Sequence, residues 1–422
     1  MVQLDEIRIN LFALLKSISN AQDLVSPLLS NHHQQVAYLS FRLAKKLGLP
    51  LEEQRDIFLA GLVHDIGALS SDKRLEFIEK EPMNIDNHAF IGAKLMQECR
   101  PIQDLALIIK YHHLPWNHGK GTSHQGERVS FGSHIIHLAD RVCTMIKKDK
   151  NILTQLPHIL ATIKANKDSV FVAGVIEALE ELSVEEYTWL DLMSSYPVNR
   201  IDIEQFHMDL LDIDDVIEIT LLFSRIIDFR SRFTAKHSAG VANIAYQLAK
   251  LKGFTSIQCK MMLVAGYLHD LGKLVISNDI LEKPGSLTMD EFNEMRSHTY
   301  YTYQLLDSIP GFEEIKEWAA YHHERLDGSG YPFHIKGDGL STGARIMAVA
   351  DVFTAITEDR PYRLGMDDEQ SIKVLNNMVQ NNALDKEIVD ILIHNLQMIK
   401  ELREKSQRMA NEKYEAFFRF KG

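Results

Sequence analysis

Apolar residues recur along the chain at the spacing of α-helices. One amphipathic stripe, with steps of three and four, consists of Val241, Ile244, Leu248 and Leu251. A second set, which we expect on helices that complete the first half, consists of Val175, Leu179, Leu182 and Tyr187. The segment 288–291 has the pattern of a capping box and predicts a helix that ends near His298. Strand-like alternation is scarce, so the pattern predicts an all-α protein.

The chain contains an internal repeat. Residues 32–48 match residues 237–253 without a gap, at an offset of 205 (237 − 32). The same offset places the segment AGLVHDIG, at 60–67, on the segment AGYLHDLG, at 265–272. A repeat of this kind predicts two units of the same architecture. The expected domains, each a helical bundle, are residues 1–197 and 198–422.

The composition is that of a folded globular protein, with 45% hydrophobic and 25% charged residues. A net charge of −12 disfavours polymeric nucleic acid as a ligand, because phosphate backbones need clustered Lys and Arg. No run of about 18 apolar residues predicts a membrane span, and the N-terminus lacks the features of a signal peptide. We therefore expect a cytoplasmic protein without membrane contact. Three cysteines indicate no disulfide framework.

Histidines and aspartates recur at matched spacings in both halves. Imidazole nitrogens combined with carboxylate oxygens suit Fe, Mn, Zn or Ni, whereas oxygen ligands alone suit Mg or Ca. In the second half, four side chains can converge on one ion, and three histidines provide for another. The expected ligands are His237, His269, Asp270, His298, His322, His323 and Asp351.

The aspartate of the HD doublet is expected to join the two metal positions. Asp270 has two carboxylate oxygens, so it can bridge ions about 3.5 to 4 Å apart, as in two-metal hydrolases. Such ions activate water near neutral pH and neutralise phosphate oxygens. The residues therefore predict phosphoester hydrolysis.

The second half resembles the HD-GYP branch of the HD superfamily of metal-dependent phosphohydrolases. The resemblance covers about residues 226–363 and includes the His298 region. It is carried by the segments HDLGK (269–273), HHERLDGSGYP (322–332) and ADVFTAITEDRPYR (350–363). An HD doublet alone is a weak signal, whereas the long HH to GYP string is highly specific. The resemblance implies two tandem HD-type helical bundles.

By this resemblance the protein is an enzyme that hydrolyses a bacterial second messenger. A cyclic dinucleotide, either cyclic di-GMP or 3′,3′-cyclic GMP-AMP, would be opened to the linear dinucleotide, with mononucleotides as further products. Two divalent transition-metal ions are implied, Fe or Mn first and Ni, Co or Zn as alternatives. Asp270 and Lys273 are the implied catalytic residues. The implied substrate contacts are Lys273, Tyr331, Arg360 and Arg363.

The second half departs from the family pattern at three positions. Some members have a glutamate for a third metal four residues before the first ligand, where this chain has Phe233, so we expect two ions. Thr354 stands where an aspartate is frequent, which leaves one substrate contact open. Thr302 replaces a usual glycine.

The first half keeps the same ligand types at the matching positions. Binding of one or two further ions is expected there. His33 follows the first ligand directly and makes its identity ambiguous, although the gapless match favours His32. The candidate ligands are His32, His64, Asp65, His88, His112, His113 and Asp140.

The first half lacks the other features of the second. Ala68 replaces the lysine, Asp149 and Ile152 replace the two arginines, and residues 114–126 (LPWNHGKGTSHQG) replace the GYP string. Three functions remain open for it: a 5′-phosphatase or nucleotidase acting on the linear product, a metal-bound sensor or regulatory domain, and a scaffold or dimerisation module.

Other functions and partners follow from the same residues. The alternatives for the whole protein are a non-catalytic cyclic dinucleotide receptor, an HD phosphohydrolase of other specificity and a di-iron oxygenase. The complete ligand set and Lys273 argue against the receptor. Beyond a cyclic dinucleotide substrate, diguanylate cyclase (GGDEF) domains are candidate protein partners and a homodimer is the candidate assembly.

Overall fold

Helices account for most of the chain. The computed structural model describes residues 7–24, 31–68, 88–208, 210–229, 236–283, 285–359 and 364–419. These ranges contain twenty α-helices, six short 3-10 helices and four strands of two residues each. The all-α prediction is confirmed. Within the same ranges, no helix is both long and apolar enough to cross a membrane.

The chain divides by packing into two compact units. The first unit is Leu14–Asp209, and the second combines Met1–Ala13 with Leu210–Gly422. The N-terminal segment joins the second unit because strand β1 (Ile9–Asn10) pairs antiparallel with strand β4 (Leu210–Leu211). The domain boundary at residues 197 and 198 stays a prediction.

The first unit is a helical bundle around one central helix, α2. This helix packs against α3, α6 and α8. A hairpin of β2 (Ser123–His124) and β3 (Glu127–Arg128) connects two of the helices. The α-helices are α1 (Leu11–Asp23), α2 (His32–Lys46), α3 (Leu51–Val63), α4 (His88–Gln97), α5 (Ala106–Lys110), α6 (Phe131–Met145), α7 (Ile152–Lys164), α8 (Ala173–Ser183) and α9 (Glu186–Leu192). The 3-10 helices are Arg100–Leu105, Asn117–Thr122, Pro197–Arg200 and Glu204–Phe206.

The core of the first unit extends past residue 197. The ring of Phe206 lies 5.5 Å from that of Phe41 and 5.8 Å from that of Phe58, centroid to centroid. All three rings are buried, so burial of their apolar surface ties the last turn of this unit to its central helices. The expected helices between residues 171 and 194 are present as α8 and α9 and complete this bundle.

The second unit repeats this arrangement around helix α11. This helix packs against α12, α17 and α20, and α10 packs against α12. The α-helices are α10 (Ile213–Phe229), α11 (His237–Lys252), α12 (Ser256–Leu268), α13 (Asn278–Leu281), α14 (Met289–Met295), α15 (His298–Asp307), α16 (Glu313–Ala320), α17 (Thr342–Thr357), α18 (Asp368–Gln380), α19 (Lys386–His394) and α20 (Leu396–Arg419). The 3-10 helices are Leu271–Val275 and Gly337–Gly339.

The predicted stripe on α11 is largely buried. Val241, Ile244 and Leu248 are at most 1% exposed, whereas Leu251 in the last turn is 38% exposed. The last position differs because it lies at the end of the helix, just before the left-handed Gly253 that terminates it.

The capping box at the start of α14 is confirmed, but the helix does not reach His298. The side chain of Thr288 accepts a hydrogen bond from the backbone of Glu291, and the side chain of Glu291 accepts from the backbone of Thr288. The helix ends at Met295, because Ser297 turns the chain by bonding back to the carbonyl of Glu294. His298 is therefore the first residue of a new helix, α15.

Glycines allow the ligand-bearing helices to approach closely. A Cβ on Gly266 of α12 would lie 2.4 Å from the Cα of Ala242 on α11. The matching pair in the first unit is Gly61 on α3 and Ala37 on α2, at 2.7 Å. Because real Cβ atoms do not approach so closely, only glycine fits at both crossings.

Candidate metal centre

The ends of helices bring the seven predicted ligands of the second unit together. His237 and His298 are the first residues of α11 and α15, and His269 caps the C-terminus of α12. The doublet at 322 and 323 follows α16, whereas Asp351 lies inside α17. All of these side chains except that of His323 belong to buried residues. Five separate chain segments thus converge on one place.

One group of side chains consists of His237, His269 and Asp351. Their ligand atoms all lie within 4.8 Å of one another. The Nε2 of His237 is 3.0 Å from the Oδ1 of Asp351, and the Nε2 of His269 is 4.0 Å from the same oxygen. This spacing can hold one ion.

A second group consists of His298, His322 and His323, whose ligand atoms also lie within 4.8 Å of one another. The Nε2 atoms of His298 and His322 are 3.3 Å apart. The Nδ1 of His323 lies 3.8 Å from the Oδ2 of Asp351, so this residue adjoins both groups.

Asp270 lies between the two groups. Its Oδ2 is 3.4 Å from the Nε2 of His269, in the first group. Its Oδ1 is 3.5 Å from the Nε2 of His298 and 4.0 Å from that of His322, in the second group. One carboxylate oxygen therefore faces each group, as a carboxylate that bridges two ions requires.

Backbone carbonyls fix the orientation of three imidazoles. The Nδ1 atoms of His269, His298 and His322 each lie 2.7 Å from the carbonyl oxygen three residues earlier. Since Nδ1 donates its proton there, the lone pair of Nε2 faces the centre. Burial lowers the pKa of His269 to about 4 and that of His298 to about 3, and it lowers the pKa of His322 as well. The three rings are neutral near pH 7.

This arrangement fits a bound cation. The Nε2 lone pairs of His298 and His322 point at each other across 3.3 Å with no proton to share. The Nε2 of His269 and the Oδ1 of Asp270 are buried and have no hydrogen-bond partner within the described ranges. Orphaned buried acceptors cost about 1–3 kcal/mol each. A divalent ion would satisfy them, and imidazole with carboxylate suits a transition metal.

Glu358 was missed by the sequence analysis. Its Oε2 lies 3.0 Å from the Nδ1 of His237, and Gln407 donates a hydrogen bond to its Oε1. Burial alone would lower the pKa of His237, but the carboxylates of Glu358 and Asp351 raise it to about 10. A carboxylate behind a histidine ligand orients the ring and increases its basicity. Glu358 comes seven residues after Asp351, which is two helical turns. That spacing was the signal in the sequence from which its position near the ligands could have been predicted.

Lys273 lies at the bridging aspartate. Its Nζ is 2.5 Å from the Oδ2 of Asp270. Burial would raise the pKa of Asp270, but the neighbouring His269 and Lys273 hold it well below its usual range. Asp270 is therefore ionised near pH 7. The ammonium group reaches the centre from the 3-10 helix Leu271–Val275.

Gly272 allows a close approach between the turn that carries the HD doublet and helix α15. Its backbone lies against α15, and a Cβ would be 1.9 Å from the carbonyl oxygen of His298. The hydroxyl of Thr302 accepts from the backbone N–H of Gly272 and donates to the carbonyl of His269. Thr302, whose effect the sequence left open, thus ties the HD turn to the helix that carries His298.

The GYP segment forms a loop over the second group. The ring of Tyr331 lies 5.0 Å from that of His323, centroid to centroid. Glu324, only 2% exposed, accepts backbone hydrogen bonds from Phe333, His334 and Ile335 at 2.6, 3.0 and 3.1 Å. This glutamate therefore holds the loop that carries Tyr331, and the sequence analysis did not identify it.

Arg360 and Arg363, expected to contact substrate, and Phe233, on which the count of two ions depends, lie outside the described residues. Thr354 is buried, and its hydroxyl donates to the carbonyl of Ala350 within α17.

The first unit brings its seven candidate ligands together in a similar way. The Nε2 of His32 is 3.2 Å from the Oδ1 of Asp140, and that of His64 is 4.0 Å from the same oxygen. Asp65 again lies between two groups: its Oδ2 is 3.5 Å from His64 and its Oδ1 is 3.1 Å from His88. One group consists of His32, His64 and Asp140, and the other of Asp65, His88, His112 and His113.

The surroundings of this first centre differ from those of the second. Gly67 again touches the carbonyl of the next ligand, since its Cβ would be 2.1 Å from the oxygen of His88. The position of the lysine is taken by Ala68, which is buried. Arg141, next to Asp140, donates to its Oδ2 at 2.8 Å. This arginine has no counterpart in the second unit, where Val352 occupies the position.

Comparison with known proteins identifies two HD domains in the chain. The HD domain family is matched twice, by residues 29–145 and by residues 222–388. A 3′3′-cGAMP-specific phosphodiesterase 1 of Vibrio cholerae is 30% identical over 407 residues, which cover 94% of this chain and 94% of that protein. The cyclic di-GMP phosphodiesterase response regulator RpfG of Xanthomonas campestris is 38% identical over 142 residues, 33% of this chain and 38% of that protein.

A solved structure has the same fold. It is the crystal structure of a cyclic GMP-AMP-specific phosphodiesterase of Vibrio cholerae, with a TM-score of 0.66 and 24% identity. The match covers 93% of this chain and 98% of that one. The prediction of two tandem HD-type bundles is confirmed.

Proposed function

Because the chain belongs to the HD-GYP family of cyclic dinucleotide phosphodiesterases, we propose that its second unit hydrolyses 3′,3′-cyclic GMP-AMP to the linear dinucleotide. A relative named for this substrate matches over 94% of both chains. The match to the cyclic di-GMP phosphodiesterase spans only 33% of this chain. The observation that carries the proposal is the position of Asp270, with one oxygen toward each group of histidines and Lys273 beside it.

Asp270 and the six candidate ligands around it are the proposed ligands of two divalent ions, Fe or Mn. When bound, the ions supply a water activated near neutral pH and neutralise charge on the phosphate. The two neighbouring groups of three ligands each support two positions, and the neutral imidazoles of His269, His298 and His322 present lone pairs to them. Glu358 orients His237 from behind.

Lys273 is the proposed group for the leaving oxygen. In the reaction a water oxygen forms a bond to phosphorus, the bond between phosphorus and the 3′ oxygen breaks, and the 3′ oxygen takes up a proton. The ammonium of Lys273 lies beside the bridging carboxylate, where it can stabilise negative charge that develops on that oxygen or donate the proton. The product keeps its 5′-phosphate.

Tyr331 is the proposed contact for a base. Its ring lies at the edge of the centre, beside His323, on the loop that Glu324 holds. An aromatic face there can stack on a purine. Arg360 and Arg363 remain proposed phosphate or guanine contacts on the strength of the sequence, because an arginine fork suits either.

The first unit is proposed as a second metal-binding HD domain. Its grouping of His32, His64 and Asp140 supports one ion and its grouping around Asp65 supports another. A 5′-phosphatase acting on the linear product, a sensor and a scaffold remain its three proposed roles. A cytoplasmic location, GGDEF domains as partners and a homodimer also remain proposals, the last to be tested by light scattering.

Paired variants of the two HD doublets test the proposed function. We expect Asp270→Ala to abolish ring opening, because it removes the carboxylate that faces both groups, whereas Asp65→Ala leaves the rate of ring opening within about twofold. Protein loaded with Mn²⁺ or Fe²⁺ is incubated with 3′,3′-cyclic GMP-AMP or cyclic di-GMP, and the products are separated by chromatography.

Three outcomes contradict parts of this proposal. Absence of turnover with either metal, despite binding, indicates a receptor. Hydrolysis of cyclic di-GMP that is faster than that of 3′,3′-cyclic GMP-AMP contradicts the proposed substrate. Loss of ring opening in Asp65→Ala alone contradicts the assignment of the reaction to the second unit.

A further inference from the structure

His33 is buried in the first unit and has a carboxylate behind it. It is the second residue of α2, with no exposed surface. Its Nδ1 lies 2.5 Å from the Oδ1 of Asp23, near the end of α1, and its backbone N–H donates to the same oxygen at 3.3 Å. Asp23 is also buried. The pair fixes the ring and commits Nδ1 to the carboxylate.

The other nitrogen of His33 faces the first centre. Its Nε2 is buried and has no hydrogen-bond partner in the described part of the chain. The ring lies 5.1 Å from that of His64, centroid to centroid. The ligand atoms of His33, His64 and Asp65 all lie within 4.8 Å of one another. His64 also belongs to the grouping of His32, His64 and Asp140, and its Nδ1 is bonded to the carbonyl of Gly61, so the Nε2 of His33 adds a third imidazole beside that ion position.

A purely structural role for His33 accounts for the contact at its Nδ1 but not for the surroundings of its Nε2. An aspartate–histidine pair explains the contact at Nδ1, but it leaves a buried acceptor unsatisfied at Nε2, at a cost of about 1–3 kcal/mol. A carboxylate that holds one nitrogen while the other faces further donors is the usual arrangement of a histidine metal ligand. In the second unit the corresponding residue is Ser238, which offers no imidazole.

The two centres place their carboxylate-backed histidine differently. In the second unit Glu358 lies behind His237. The residue that corresponds to Glu358 in the first unit is Lys147, seven positions after Asp140. The supporting carboxylate there is Asp23, and the ring that it supports is His33. The first centre is therefore not a copy of the second.

We propose that His33 is an additional metal ligand of the first unit, oriented by Asp23, and that it binds a transition-metal ion together with His64 and Asp65. The first centre then offers six imidazoles and two carboxylates, whereas the second offers five imidazoles and two carboxylates. More nitrogen ligands favour Zn, Co, Ni or Fe over Mn. This inference rests on metal binding by the first unit and is independent of ring hydrolysis by the second.

The test measures metal binding by the first centre alone. The full-length chain carries His269→Ala and Asp270→Ala, so the second centre is disabled. His33→Asn is added, because the asparagine amide can still donate to Asp23 but has no ligand nitrogen. Zn²⁺ affinity is measured by competition with a chromophoric chelator, and Zn²⁺ content by mass spectrometry.

We expect His33→Asn to weaken Zn²⁺ binding at least about tenfold, and Asp23→Asn to weaken it about 10- to 100-fold, the range typical of a lost outer-shell partner. His134→Asn is the matched control, because His134 is another buried histidine of this unit, bonded to the carbonyl of Gly121 outside the cluster. Unchanged affinity and content in His33→Asn overturn the proposal.

A second measurement does not depend on the folding of any variant. Crystals of the wild-type chain soaked with Zn²⁺ are examined by anomalous scattering at the zinc edge. A zinc ion about 2.0–2.1 Å from the Nε2 of His33 supports the proposal. Zinc bound only by the other ligands, or a water at that nitrogen, overturns it.

Discussion

At the scale of single residues, the contacts behind the ligands determine how strongly the centre can hold an ion. Glu358 illustrates this, since it is bonded to the Nδ1 of His237, whereas the Nε2 of the same ring lies beside the candidate ligand Asp351. We expect Glu358→Gln to lower metal affinity in the second centre about 10- to 100-fold, because the amide no longer orients or polarises the imidazole. Chelator competition with Mn²⁺ or Fe²⁺ measures this change.

Glu387→Gln is the control for this prediction. Glu387 also pairs with a cation, Lys252, but its side chain is 68% exposed and it lies in the first turn of α19, which carries none of the candidate ligands. Such exposed pairs contribute little. Equal losses of affinity in both variants would contradict a specific role for Glu358.

His134 leads to a prediction about pH. Burial lowers the pKa of His134 to about 4 in the folded protein, whereas the ordinary value is 6.5. Above pH 6.5 the ring is neutral in both states and has no effect. As the pH falls from 6.5 toward 4, the unfolded chain binds a proton that the folded chain does not, so the free energy of unfolding decreases.

Chemical denaturation at pH 7 and pH 5 measures this effect of His134. Between these values the wild type should lose about 2 kcal/mol more than His134→Gln, which cannot take up the proton. Other titrating groups are common to both proteins and cancel in the comparison. Identical pH dependence in the two proteins would show that the protonation of His134 is not linked to unfolding.

At the scale of helices, the close crossing of α11 and α12 sets the distance between two ligands. His237 begins one helix and His269 ends the other, and Gly266 contacts Ala242 where they cross. We expect Gly266→Ala to destabilise the protein by about 1–3 kcal/mol, because the added methyl forces two backbones apart. Thermal unfolding measures the loss.

Gly174→Ala serves as the matched control for this crossing. Gly174 lies in the first turn of α8, and a Cβ there meets nothing within 4 Å. The same substitution should therefore be neutral or stabilise the helix by up to about 1 kcal/mol. A melting temperature for Gly266→Ala equal to that of the wild type would contradict the packing argument.

The helices and the candidate ligands were predictable, whereas the supporting contacts were not. The interval of 32 residues between His237 and His269 recurs between His32 and His64 in the first half, so these residues stood out without any knowledge of their contacts. Glu324 and Asp23 act through bonds to distant or irregular backbone and side chains, which no periodicity reports. Helix α14 ends at Met295, near the predicted end at His298, but the turn at Ser297 that terminates it is not visible in the apolar pattern.

At the scale of the whole molecule, two separate centres predict a stepwise response to metal removal. Each centre lies within one compact unit. An ion that binds only the folded state at a concentration 1,000 times its dissociation constant stabilises by about 4 kcal/mol. We expect a chelator to lower the melting temperature of the wild type, and Asp65→Ala and Asp270→Ala each to retain part of that response. The double variant should show none.

Calorimetry with and without chelator measures these shifts. The double variant provides the control for effects of the chelator itself. A full response that survives in the double variant would mean that the stabilising ions bind elsewhere, and the absence of any response in Asp65→Ala would mean that only the first centre holds metal.

Glu324 and the glycine contacts have a consequence for changing the specificity of this enzyme. Gly67 and Gly272 press against the carbonyls of His88 and His298 in the two units, so the ligand frame is the same in both although the surrounding loops differ. The loop after Glu324 is fastened to that buried carboxylate by its own backbone N–H groups, which any sequence other than proline provides. A protein engineer can therefore exchange the side chain of Tyr331, the proposed base contact, while the backbone bonds of residues 333–335 to Glu324 hold the loop in place.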